Sequence, residues 1–330
     1  GCLGEFDEAQ ALLRCRSCPA AYDVDDGIVD LRGGRLGYYF NPVPRPEMGK
    51  LVADMSADNW PETIRRFVRH TRNATEWIDN LVVDGRYAWK LLLDLTPDTA
   101  LLDLGCGLGN LTHNLAPFTR RTYALDLTYE RLAFSRKRFS IFNRADDIQL
   151  LAAGDGAHLP FRDAALDCVV VSGVLEWVGE GDMGLFKTGG KLGRLWRMLT
   201  YQFGARGPRG IQLAFLREIR RVLKPGGQLF VAIENRYNYE YFAGRPDHHS
   251  RLKYGSLMPR AVANLYSIAK RRAPYRTYTH SITGYRKLLR EAGFPETEFI
   301  GFFRGYSQLN EMVPAAVDMP RWRPEPLQSM

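Results

Sequence analysis

Short apolar runs alternate along this chain with longer stretches in which apolar residues return every third or fourth position. The runs fall at 100–104, 122–127, 148–152, 168–172, 228–233 and 298–303. Each has the length of a buried strand, and most of the stretches between them carry the period of a helix packed on one face. Strands alternating with helices predict an α/β architecture, a largely parallel sheet with helices on both faces. The helical pattern opens at Pro61 in "ETIRRFVRHTRNATEWIDNLVVDGRYAWKLLLDL", whereas residues 35–60, with "NPVPRPEMG", predict an irregular linker. Three regions follow: a cysteine-bearing segment at 1–34, a linker and helical cap at 35–95, and the α/β domain at 96–330. Two insertions interrupt the alternation, 181–210 after the fourth run and 237–281 after the fifth. Ligands of open α/β sheets sit beyond the carboxyl ends of the strands, so both insertions are expected on the ligand side.

Composition narrows the class. At 330 residues, with 45% hydrophobic and 25% charged positions, the chain suits a globular enzyme of one large domain with additions, or of two domains. No apolar run is long enough to span a bilayer, and the acidic, polar start does not read as a secretory signal, which predicts a cytoplasmic location. The net charge of +8 favours anionic partners only where the charge clusters. Five cysteines argue against a disulfide framework. Cys106 and Cys168 lie in apolar surroundings. In "CRSC", Cys15 and Cys18 have the spacing at which two thiolates hold zinc from one tight turn, with Cys2 as a third candidate ligand and no evident fourth, so the segment reads as a degenerate zinc ribbon.

The first apolar run continues into "LLDLGCGLGN", where Gly105, Gly107 and Gly109 form a bare bend between a strand and a helix. Further features stand in register with it. Asp103 precedes the first glycine by two residues. Asp126 ends the second strand, 21 residues after Gly105, where a carboxylate accepts from ribose hydroxyls. Asp155, in "GDGAHLPF" after the third strand, is placed to accept from an exocyclic adenine amine. A dinucleotide fingerprint needs its third glycine one residue later than Gly109, which argues against a nicotinamide cofactor.

Together "LLDLGCGLGN", "ALDLT", "GDGAHLPF", "DCVVVSGVLEWV" and "EIRRVLKPGGQLFVAIEN" resemble the successive motifs of class I S-adenosylmethionine-dependent methyltransferases, over about residues 87–303. The resemblance implies a Rossmann-like, mostly parallel seven-stranded sheet and binding of S-adenosylmethionine, with S-adenosylhomocysteine as product. It implies that Asp103 and the turn through Gly105, Cys106, Gly107 and Gly109 hold the methionine part. Asp126 and Leu127 would take the ribose, Asp155 and Gly156 the adenine with Ala157 or His158 lining it, and Ser172 would also contact the cofactor. The C-terminal part is similar to methyltransferases encoded with bacterial surface-polysaccharide and natural-product enzymes.

The acceptor is less sharply marked. An oxygen acceptor needs a base with a working pKa, for which histidine and carboxylate serve. The order of candidates is His249 or His248 in "GRPDHHS", then His280, then Glu176, with Glu234 also on the ligand side. "SGVLEW" stands where amino-methylating enzymes often carry an Asn-Pro-Pro-Tyr type motif, and no cysteine marks a covalent route. The insertion at 184–210 carries Lys187, Lys191, Arg194, Arg197, Arg206 and Arg209 with no acid, beside an apolar stripe of Leu192, Leu195, Trp196, Leu199 and Phe203. Such a segment packs on the domain, covers the site, grips a phosphate, or lies peripherally on an anionic membrane. The leading expectation is O-methylation of a sugar, glycan or small polyhydroxylated, in some cases phosphorylated, acceptor. An RNA base methyltransferase, with nucleic acid as partner, and a non-catalytic cofactor-binding scaffold are the alternatives.

Overall fold

The computed structural model describes residues 6–9, 12–32, 39–71, 81, 90, 92–153, 156–180, 190–201, 203, 207–247, 249–303 and 311–314. Strands β1 (Phe6–Ala9), β2 (Leu12–Cys15), β3 (Ala21–Asp25) and β4 (Ile28–Leu31) form an N-terminal meander. Asp26 (φ 47°) and Gly27 (φ 74°) make the tight turn that joins the last two. Helices α1 (Arg45–Asp54) and α2 (Trp60–Val68) follow. The regular alternation runs through β5 (Ala100–Leu104), α3 (Asn110–Leu115), β6 (Arg121–Asp126), α4 (Tyr129–Ile141), β7 (Ile148–Ala153) and β8 (Leu166–Ser172). Next come α5 (Lys191–Thr200), α6 (Pro208–Val222), β9 (Leu223–Ala232), the short α7 (Tyr239–Phe242), α8 (Arg260–Arg271) and α9 (Ile282–Glu291). β10 (Ile300–Phe303) and β11 (Glu311–Pro314) follow as an antiparallel pair.

The main sheet has the order β1-β2-β3-β4-β7-β6-β5-β8-β9. From β4 to β9 every pairing is parallel, as the alternating pattern predicts. The sheet has nine strands where seven are expected, and its membership differs at both ends. Ile28–Leu31 pairs with β7, which carries the N-terminal meander onto the sheet's edge. Among the described residues β10 pairs only with β11 and is not a sheet member.

Alternation within each strand divides the core. Leu102, Leu104, Val169 and Val171 face Phe215, Leu216 and Ile219 of α6 and Leu288 of α9. Leu101, Cys168 and Val170 point the other way, against Leu111 and Leu115 of α3. β5 lies between β6 and β8, so the chain leaves it toward one edge of the sheet and later fills the other. That reversal makes a crevice beyond the carboxyl end of β5.

Two local expectations fail for identifiable reasons. Residues 45–54, expected as linker, are helix α1, because Pro46 occupies its first turn, where a missing N–H costs nothing, and Met48 and Leu51 bury a face. β9 begins at Leu223, five residues before the predicted run. Leu223 pairs with Leu166, and the register then jumps to Gln228 opposite Cys168, so the Lys-Pro-Gly-Gly break bulges inside the strand instead of preceding it.

Candidate functional site

β5 delivers Asp103 at its carboxyl end, 2% exposed, and Thr112 Oγ1 at the start of α3 donates to its Oδ2 at 2.6 Å. The bend between them is held from β6. Gly105 N and Cys106 N donate to Leu125 O at 2.7 and 3.0 Å, and Gly107 N donates to Asp126 Oδ2 at 2.9 Å. Asp126 Oδ1 accepts from Thr128 N at 2.8 Å, so this carboxylate, 6% exposed, ties the ends of two neighbouring strands into one rim. The three glycines have different causes. A Cβ at Gly105 would fall 2.4 Å from Val174 Cγ2, and one at Gly109 would fall 2.6 Å from Phe139 Cζ, so protein packing forbids side chains there. At Gly107, with φ 57°, a Cβ would meet no atom within 4 Å. That side of the bend faces open space.

The rest of the rim is built alike. Cys106 is buried, and burial, then the charges of Asp126 and Asp103, push its thiol well above the ordinary range, so it acts as a small apolar group. Leu127 is half-buried after β6. Asp155 lies outside the described residues. Gly156 is bare because Phe215 of α6 would lie 2.3 Å from its Cβ, and Ala157 beside it is half-buried. Ser172 ends β8, and its buried Oγ has no hydrogen-bond partner among the described residues.

The family described as "Methyltransferase domain" matches residues 102–187, the segment that builds this rim. The chain carries a class I S-adenosylmethionine-dependent methyltransferase domain. Its relatives match it in part only. The biotin biosynthesis bifunctional protein BioHC of Cellvibrio japonicus is 30% identical over 145 residues, 43% of this chain and 22% of that protein. The sterol 4-C-methyltransferase strm-1 of Caenorhabditis elegans is 22% identical over 170 residues, 51% of this chain and 41% of that protein. The chain thus spans less than half the length of either. Among solved structures, an S-adenosylmethionine-dependent methyltransferase of Thermotoga maritima is 18% identical with a TM-score of 0.44, covering 76% of this chain and 92% of that one.

The methyltransferase domain's rim suits its cofactor. The unfilled side of Gly107, two buried carboxylates and the orphaned Ser172 hydroxyl offer an apolar approach, acceptors for a ribose and amine, and one spare polar group.

The acceptor candidates gather beyond the adjoining ends of β8 and β9. Ser172 pairs with Ala232, so the two chains leave the sheet side by side, one toward Glu176 and the other toward Glu234. His249, from the second insertion, enters between them: its Nε2 lies 3.2 Å from Glu234 Oε2 and 3.9 Å from Glu176 Oε1. The three side chains are 4%, 17% and 1% exposed for His249, Glu234 and Glu176. Trp177 meets the imidazole edge to face at 4.7 Å, and Phe40 packs on Trp177 at 5.3 Å. Asp247 fixes the loop, accepting from His249 N at 3.0 Å, Ser250 Oγ at 2.6 Å and Tyr275 OH at 3.1 Å. The donor atoms of Glu176, Glu234 and His249 all lie within 4.8 Å of one another, near enough to hold a proton or to close on one divalent cation.

The other candidates fall elsewhere. His248 lies outside the described residues. His280 is bonded through Nε2 to Gln212 Oε1 at 2.8 Å, and Gln212 Nε2 in turn donates to the carbonyls of Tyr278 and Leu175. Burial, then Arg260, Arg209 and Arg236, lowers the His280 imidazole to about 3, which makes it a poor base at neutral pH; it braces the insertion against α6. Cys15 and Cys18 flank a turn in which Ser17 N donates to Cys15 Sγ at 3.4 Å. Cys2 lies outside the described residues, and among the described ones no third metal-ligating group joins the pair. Two donors are half of a tetrahedral zinc set, so zinc enters no step below.

Trp177 and Phe40 went unnoticed in the sequence. Trp177 adjoins Glu176 in a quoted motif, but no period distinguishes a pocket aromatic from a core one. Phe40 sits far upstream in a proline-rich stretch.

Proposed function

We propose that this methyltransferase domain transfers a methyl group to a hydroxyl oxygen of a sugar, glycan or small polyhydroxylated acceptor, with His249 as the base. When bound, S-adenosylmethionine supplies an electrophilic methyl on a sulfonium. The observation that supports the reading is the placement of His249 between the buried Glu176 and the half-buried Glu234, on the same sheet edge as the glycine bend. An imidazole there takes the hydroxyl proton as the oxygen attacks, and the neighbouring carboxylates stabilise the imidazolium that forms. His249 Nε2 stands 3.2 Å from Glu234 Oε2, within hydrogen-bonding distance, so the pair can pass a proton between them. Trp177 and Phe40 add aromatic surface of the kind that packs on a sugar face. The relatives' names mention biotin biosynthesis and a sterol carbon, so they agree on no acceptor.

Transfer of labelled methyl from S-adenosylmethionine into fractionated sugars, glycolipids and RNA tests this directly. Label is expected in a hydroxylated acceptor, insensitive to chelator, with kcat lowered about 10²-fold or more in His249→Ala while cofactor affinity is kept. Label in RNA that falls steeply with salt, loss of activity in chelator, or no turnover with any fraction would overturn it.

A further inference from the structure

Helices α5 and α8 are amphipathic the wrong way round. Their mutual contact uses Asn264, whose Nδ2 donates to Met198 O at 2.9 Å and whose Oδ1 accepts from Tyr275 N at 3.0 Å. On α8 the buried positions include Asn264 and Ser267, 1% and 0% exposed, while Val262 and Leu265 are 48% and 54% exposed. On α5 the side toward α8 carries Met198, and the apolar stripe faces outward: Leu192 is 84% exposed, Trp196 68% and, just beyond, Phe203 67%. A helix that packs on its own domain buries such a stripe. Here α8 buries Ala263, Asn264 and Ser267 and α5, among its described residues, buries only Met198, while Leu192, Leu195, Trp196, Val262 and Leu265 are presented to solvent.

The charge around this face has one sign. No Asp or Glu occurs at 183–217 or at 248–290. Lys191, Lys270, Arg271 and Arg272 are exposed at the ends of the two helices. A second copy of the chain seated here would set these cations against their equivalents, because a two-fold contact joins like surfaces. An apolar face containing tryptophan and leucine with a cationic border matches the boundary of an anionic bilayer, where the side chains enter the acyl region and the cations meet headgroup phosphates.

We infer that α5 and α8 form a docking face for an anionic phospholipid surface, and that the acceptor is a hydroxylated group presented from that surface. The second half rests on the proposed function; the first does not. The two are joined structurally, since the Tyr201 hydroxyl at the end of α5 donates to Gly179 O, two residues beyond the Trp177 that packs on His249. The docking unit is therefore fastened to the wall of the acceptor cluster.

Co-sedimentation of the full chain with phosphatidylglycerol–phosphatidylcholine vesicles, against phosphatidylcholine alone, tests the first half. Binding is expected only to the anionic vesicles, falling about tenfold or more on raising salt from 50 to 500 mM. It should be lost both in Leu192→Ser/Trp196→Ser and in Lys270→Glu/Arg271→Glu, which change exposed side chains and leave cofactor affinity intact. Equal binding to neutral vesicles, no binding to either, or a concentration-dependent dimer abolished by the same variants would overturn the docking face. For the second half, vesicles carrying the labelled acceptor should be methylated faster by the wild-type chain than by the docking variants, with both equal on a water-soluble acceptor. Equal rates on vesicles would overturn the presented acceptor alone and leave the methyl transfer of the proposed function standing.

Discussion

At Gly107 and Gly109 the same substitution should have opposite signatures. Both residues have positive φ, 57° and 69°, a backbone state that costs a residue with a Cβ about 1–2 kcal/mol. At Gly109 the new methyl would also meet Phe139 Cζ at 2.6 Å and Ser135 Oγ at 2.8 Å, and overpacking adds to the strain. Gly109→Ala is expected to lower stability by about 2–4 kcal/mol in chemical denaturation. Gly107→Ala meets no protein atom, so it should lose only about 1–2 kcal/mol while weakening S-adenosylmethionine tenfold or more by calorimetry. Equal affinity in Gly107→Ala and wild type would show that this side of the bend does not face the cofactor. From the sequence the three glycines were indistinguishable, since a bend required by packing and one required by a ligand are written with the same residue.

Between elements, the joint of β5, β8 and β9 turns on Asp167. Its Oδ2 accepts from Ala100 N at 2.9 Å, and both oxygens meet Lys224 Nζ at 2.7 and 2.8 Å. Burial raises this carboxyl, but the hydrogen bonds from Lys224 and Ala100 outweigh it and hold it below the usual range. The ion pair itself is weak, because Lys224 is 42% exposed and Asp167 34%, and exposed pairs contribute about 0–1 kcal/mol. Asp167→Ala should cost about 1–3 kcal/mol because the first N–H of β5 loses its acceptor, while Lys224→Ala should cost under about 1 kcal/mol. Equal losses in urea titrations would place the stabilisation in the charge pair instead. Elements of this central kind were legible from apolar runs bounded by turns, and β5 falls on its predicted residues. β9 was read five residues short because Pro-Gly-Gly marks a break locally, and only pairing with Leu166 across the sheet turns that break into a bulge. β4 was missed because four residues, Ile28–Leu31, carry too little pattern until β7 offers an edge. The acceptor cluster was legible as separate residues and not as a group, since Glu176, Glu234 and His249 converge only through the sheet order.

Over the whole molecule, two half-buried imidazoles on opposite faces of the sheet should set the acid limit of the fold. Burial, then Arg138 and Arg144, lowers His113 to about 4, where it stacks parallel to Phe139 at 6.3 Å between centroids. His280, lowered to about 3, is braced on Gln212. In the unfolded chain both take up protons near pH 6.5, and in the folded chain only near 4 and 3. Between these limits the unfolded state binds more protons, so their contribution is complete above about pH 6.5 and is lost as the pH falls toward 4. The slope approaches about 1.4 kcal/mol per pH unit for His280 and is smaller for the half-exposed His113, whose charge solvent screens. Urea midpoints are accordingly expected to drop steeply from pH 6.5 to 4 in the wild type and to flatten over that window in His113→Phe/His280→Gln, whose side chains do not titrate. An unchanged slope in the double variant would assign the acid sensitivity to other groups and would mean that protonated imidazoles are accommodated at both positions.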